Sequence, residues 1–142
     1  MKRYKAVAAT INKTIESWGG TSEFTEEALK QLSKTAFDKP VLIGFDPARA
    51  VGKVVFAVVE DGKLIVEVDL DEGYTINQKE RLVPDFVVDI DEWKEGAGIH
   101  RIIRKASSFA YGLTESPCEK DLPEIVKEVV KEEMTGKMPD AI

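Results

Sequence analysis

The segment KVVFAVVEDGKLIVEVDL, residues 53–70, constrains the fold of this chain more than any other. Two apolar, largely β-branched runs flank Asp61-Gly62. A two-residue Asp-Gly loop predicts a type I′ hairpin, because both of its central positions need positive φ. Pairing Glu60 with Lys63 sets the register. One face then carries Val55, Ala57, Val59, Leu64, Val66, Val68 and Leu70, all apolar. The other mixes Val54, Phe56, Val58 and Ile65 with Glu67 and Asp69. A solvated face does not ordinarily carry that apolar cluster. The hairpin therefore reads as a barrel wall with a helix packed outside it, or as a wall that meets a partner.

The remaining segments fit around this wall. Tyr4 to Ile11 reads as a strand and ends before a Gly19-Gly20 break. Thr21, Ser22 and Thr25 offer N-cap hydroxyls to a helix over EEALKQLSKTAF, and Phe24, Ala28, Leu29, Leu32 and Ala36 recur at helical spacing. VLIGF after Pro40 is a short buried strand. DEGYTINQKE is polar and turn-like, and LVPDFVVDI is a strand whose Pro84 places it at an edge or bulge. A loop over EWKEGAGI precedes HRIIRKASSFAYGLT, a long strand bent near Ala106 to Ser108. After ESPCEK, Asp121 and Pro123 predict a helix start, with Leu122, Ile125, Val126, Val129 and Val130 along one stripe. The expected fold class is α+β, mainly β: a single-domain β-barrel-like core with one helix in its N-terminal half and an amphipathic helix at its C-terminal end. Its boundaries are 1–118 for the barrel domain, 119–135 for the C-terminal helix packed on it, and 136–142 for a flexible tail.

Charge and cysteine content narrow the chemistry. The net charge of −6, with scattered Lys and Arg, argues against a nucleic-acid partner. No apolar run approaches the ~20 residues of a membrane span, and the N-terminus lacks a signal-peptide pattern. Cys118 and His100 are the only cysteine and histidine, which removes disulfides and the common zinc sites. No cofactor and no metal is expected. Ser107 and Ser108 follow His100 by seven and eight residues, roughly 20 Å or more along a strand, so direct contact would need a fold-back. Lys105 shares a strand face with Ser107. Both serines read as ordinary strand residues, and His100 as an exposed residue at a strand start. The carboxylate pairs Asp69/Asp71 and Asp89/Asp91 read as solvated strand ends. Trp18 and Trp93, each beside loop signals, are core lids or contact anchors.

Several short motifs follow one another in a suggestive order. Gly44-Phe45-Asp46 ends a short strand, and Val51-Gly52-Lys53-Val54 and Gly62-Lys63-Leu64 come next. Val83-Pro84-Asp85-Phe86 and Leu113-Thr114-Glu115-Ser116-Pro117 complete the series. From Phe24 to Pro117 this order resembles the tailed-phage prohead maturation proteases of the Mu type, which share a barrel with herpesvirus assembly proteases. In that family an Asn-His-Asp-like motif stands where this chain has Gly44-Phe45-Asp46, and a Ser-Pro-x-Phe strand where it has Val83-Pro84-Asp85-Phe86. The resemblance thus puts the family's histidine on Phe45 and its nucleophilic serine on Val83. Neither side chain can transfer a proton or attack a carbonyl, so it implies a catalytically degenerate member.

The function this implies is non-enzymatic: an accessory, decoration or assembly protein of a phage or prophage capsid. The implied partners are the major capsid protein and further copies of the chain, with no nucleic acid and no membrane. The implied locations are the host cytoplasm during assembly and the virion head. Trp18, Phe56 and Trp93 are the interface candidates. Two other readings stand beside it. One is an active protease with a displaced nucleophile, Ser107 or Ser108 served by His100 or Lys105. The other is a small cytoplasmic binding module with no phage connection.

Overall fold

A computed structural model describes residues 1–17, 20–96 and 98–127. Its elements are β1 (Lys2–Thr10), β2 (Ile15–Ser17), β3 (Gly20–Phe24), α1 (Glu26–Thr35), β4 (Pro40–Ile43), β5 (Ala50–Glu60), β6 (Lys63–Leu70), β7 (Arg81–Glu95), β8 (Ile99–Thr114) and β9 (Val126–Lys127). The described residues are mainly β, with one short helix. No helix among them is long and apolar enough to cross a membrane.

The strands form one sheet in the order β2-β3-β8-β4-β5-β6-β1-β9, with β7 paired to β8. This corrects the barrel expectation, because the sheet is not closed. Its curl brings the end of β1 back towards β3, where among the described residues Ile11, just past β1, meets Phe24 at an isolated bridge rather than along a ladder. There Asn12 N donates to Phe24 O at 2.9 Å and Ile11 N to Gly62 O at 2.7 Å.

β8 organises the sheet. Along one edge it pairs with β7 from end to end, Arg81 opposite Thr114 and Glu95 opposite Ile99. A strand has only two edges, so β3 and β4 share the other one. Both run parallel to β8, β3 against His100 to Ile103 and β4 against Tyr111 to Leu113. α1 spans the gap between them. Its N-cap residue Thr25 accepts from Ala28 N at 3.2 Å, and Thr25 N and Oγ1 both donate to Ile103 O. At the other end Thr35 Oγ1 accepts from Ser108 N at 2.8 Å while donating to Gln31 O. Thr25 N and the Thr35 hydroxyl thus take the place of a missing strand at Ile103 O and Ser108 N.

The β5–β6 hairpin forms as expected, with Asp61 and Gly62 at positive φ and Glu60 opposite Lys63. Its inner face differs by one residue, however. The register shifts between Val54 and Phe56, so Val55 is the bulged residue and Val54, opposite Val68, turns inward and is fully buried. Val54, Leu64, Val66 and Leu70 join Ala28, Leu29 and Leu32 of α1 in one core, with Phe24 and Tyr111. The helix therefore packs on the inner face of the hairpin and not outside it. On the outer face Phe56 is half exposed opposite Glu67.

Over residues 119–127 the expected C-terminal helix does not form, which is the second correction. Asp121 forms an ion pair with Lys13 Nζ at 2.7 Å instead of capping a helix, and Leu122 is buried. Val126 and Lys127 then extend the sheet as β9, antiparallel to Lys5 and Tyr4 of β1. The free edge of β1 offers backbone partners here, and pairing with it outweighs the local amphipathic pattern. Residues 128–135 of the expected helix and the tail 136–142 lie outside the described residues.

Two measurements test this account of β8. Thr35→Val keeps the shape but leaves Ser108 N without its acceptor, and should cost about 1–3 kcal/mol in urea unfolding. Burial pushes the Tyr111 phenol up to about 12, against the hydrogen bond it shares with Ser108, which acts the other way. A raised phenol favours the neutral form in the fold. Its stabilising contribution is therefore complete below the ordinary value of 10.0 and is lost as pH rises through about 12. Tyr111→Phe should flatten the fall in the urea midpoint across that window.

Candidate functional site

The two positions that the motif order aligns with the protease residues lie in one cleft. β4 ends at Ile43 and the chain reverses through Gly44-Phe45, where Asp46 N donates to Ile43 O at 3.1 Å. Both central residues have positive φ, 58° at Gly44 and 63° at Phe45, which makes a type I′ turn. An aromatic residue in the left-handed region costs about 1–2 kcal/mol, so something must hold it there. Its ring seats on Gly112 of β8, where an added Cβ would come within 2.6 Å of the phenyl. Val83 of β7 is the residue directly opposite Gly112. Phe45 and Val83 therefore flank the same bare stretch of backbone.

Together they line a cleft of about 140 Å³. Ala8 and Ala9 of β1, Ile15 of β2, Phe24 of β3, and Pro84 and Phe86 of β7 complete its apolar wall. Phe24 and Phe86 meet edge to face with centroids 5.1 Å apart. The polar contributors are Glu16, Cys118 and Glu119. Glu119 is buried, and its carboxylate accepts from Thr10 N at 3.0 Å and Thr10 Oγ1 at 2.6 Å. Cys118 is an exposed free thiol. A thiol needs a base or a positive neighbour to become a nucleophile. The chain's one histidine does not line this cleft. This cleft can bury apolar groups.

The serines of the displaced-nucleophile reading are engaged elsewhere. Ser108 is buried and donates to Leu32 O at 2.9 Å, with Tyr111 Oη 2.8 Å away. Ser107 donates to Asp89 Oδ2 at 2.7 Å. The carboxylates expected to be solvated also have partners: Asp69 takes both arms of Arg3, and Asp91 lies 3.7 Å from Arg101. Of the interface candidates, Trp93 is 58% exposed with the Arg101 guanidinium 5.5 Å from its ring centroid. Trp18 lies outside the described residues.

His100 is not the unengaged residue that its sequence context suggests. The parallel pairing of β3 with β8 sets Thr21 beside His100 and Glu23 beside Ile102, all on the face opposite the buried Phe24 and Ile103. The imidazole Nδ1 is 2.7 Å from Thr21 Oγ1, and Nε2 is 2.9 Å from Glu23 Oε1. Thr21 and His100 line an open cleft of about 550 Å³ with Thr14, Lys94, Ile99 and the turn glycines Gly96 and Gly98. No sequence signal pointed to this cluster, since His100 is 77 and 79 residues from its two partners. Among the described residues no group of acidic, histidine and cysteine side chains is arranged to hold a metal ion.

Compared with protein-family models, with curated proteins and with solved structures, the chain matches none.

Phe45 and Gly112 are coupled by direct contact, which a double-mutant cycle measures. Gly112→Ala should cost about 1–2 kcal/mol by pushing the ring off its seat. In a Phe45→Gly background the same change should cost clearly less, because the obstructing ring is gone. Equal costs in both backgrounds would remove the ring as the reason glycine is needed.

Proposed function

We propose that the chain is a contact protein of a tailed-phage or prophage head, a catalytically degenerate relative of the prohead maturation proteases that binds the major capsid protein. The observation that carries this reading is the convergence of Phe45 and Val83 on one cleft around Gly112. A phenyl ring and an isopropyl group carry no titratable proton and no lone pair. The role at this cleft is therefore contact and not proteolysis.

Contact requires apolar anchors within a polar surround, multiplied by repeated copies on a shell. Phe56, opposite Glu67 in the hairpin, and Trp93, between Glu92 and Lys94 near the end of β7, are exposed aromatic residues. The formal charge of −6 keeps the free chain dispersed before assembly.

Sedimentation with capsid shells from the phage or prophage that encodes the chain tests this directly. The protein should pellet with the shells in a saturable ratio and leave the capsid precursor uncut. Phe56→Ala or Trp93→Ala should weaken pelleting by about tenfold or more. A protein that remains wholly in the supernatant at every shell concentration overturns the reading.

A further inference from the structure

The Thr21–His100–Glu23 cluster stands apart from the Phe45–Val83 cleft, and nothing derived so far uses it. Its hydrogen bonds constrain the proton positions. A neutral imidazole has one N–H and one lone pair. Glu23 is a carboxylate and accepts only, so the N–H belongs on Nε2, where Glu23 Oε1 is 2.9 Å away. That leaves the lone pair on Nδ1, directed at the Thr21 hydroxyl 2.7 Å off. The opposite tautomer would set a lone pair against a carboxylate. When the imidazole is neutral, Glu23 thus holds His100 in the tautomer that can take a proton from Thr21. This is the logic of an acid–imidazole–alcohol relay, which is recognised by geometry rather than by order in the chain.

The surroundings suit such a relay. Thr21 and His100 face an open cleft of about 550 Å³, within the usual range for small-molecule sites, while Glu23 holds the imidazole from outside its lining. Lys94 lines the same cleft and is the residue opposite His100 in the β7–β8 ladder. Glu95 lines it as well, so a cation and a carboxylate both border the cleft.

We propose that this cleft is an acyl-transfer site for short-chain carboxylic esters, with Thr21 as nucleophile, His100 as general base and Glu23 as a positioning residue. Thr21 Oγ1 bonds to the acyl carbon as its proton passes to Nδ1. The C–O bond to the alcohol then breaks, and the departing oxygen takes that proton. Water attacks the acyl-threonine in the same way, giving up one proton to Nδ1, which returns it to Thr21 Oγ1 as the acid leaves. Ester and water are thus converted to acid and alcohol, with no other reactant. This site does not rest on the capsid reading, and a failure of shell binding leaves it standing.

The test uses the full chain and p-nitrophenyl acetate. Release of p-nitrophenolate should saturate with ester, and peptide mass spectrometry of the quenched reaction should find the acetyl group at position 21. Thr21→Val and His100→Gln should each lower kcat/KM about a hundredfold, with urea midpoints close to the parent's. Glu23→Gln should lower kcat while leaving KM unchanged, which a merely structural role would not do. If Thr21→Val does not fold, Thr21→Ser carries the test, because its primary hydroxyl keeps the bond and must acquire the acetyl group. Acetylation confined to lysines, or equal release from parent and Thr21→Val, overturns the proposal.

Discussion

The parallel pairing of β3 and β4 with the two halves of β8 is the constraint on which everything else depends. These contacts are among the longest in sequence, and each closes a large loop at an entropic cost that only a shared core can offset. That core is supplied by Phe24, Ile103 and Tyr111 on the strands and by Leu29 and Leu32 of α1. Once β8 is fixed, both clefts follow. Its C-terminal half presents Gly112 to Phe45 and Val83, and its N-terminal half presents His100 to Thr21 and Glu23.

The legible parts of the fold are those whose determinants are local. The Asp61-Gly62 turn and the Glu60–Lys63 register follow from two residues and an alternating pattern, and Thr25 caps α1 as one of the hydroxyls expected to do so. The bulge at Val55 was not legible, because an uninterrupted apolar run gives no sign of where alternation slips. Over residues 121–127 the expected helix gives way to extended chain for a different reason. Its apolar stripe was real, but β1 offered Val126 and Lys127 a strand edge that the local pattern cannot report. Closure of the sheet depends likewise on how far the β1–β3 contact extends, and it stops at one bridge.

The candidate sites divide in the same way. Phe45 and Val83 stand around one glycine in the structure. The His100 cluster could not be found from the sequence, because its partners are brought in by a parallel strand pairing, the kind of contact with the weakest sequence signature. Ser107 and Ser108 were visible beside Lys105 yet are spent on Asp89, Leu32 and Tyr111. In this chain proximity in sequence is a poor guide to which polar groups meet.

Cys118 has a practical consequence. It is the sole thiol, it is exposed, and it borders the cleft that holds Phe45. One fluorophore attached there would sit at the rim of that cleft at a defined stoichiometry without any engineering, so a change in its emission would register whatever enters.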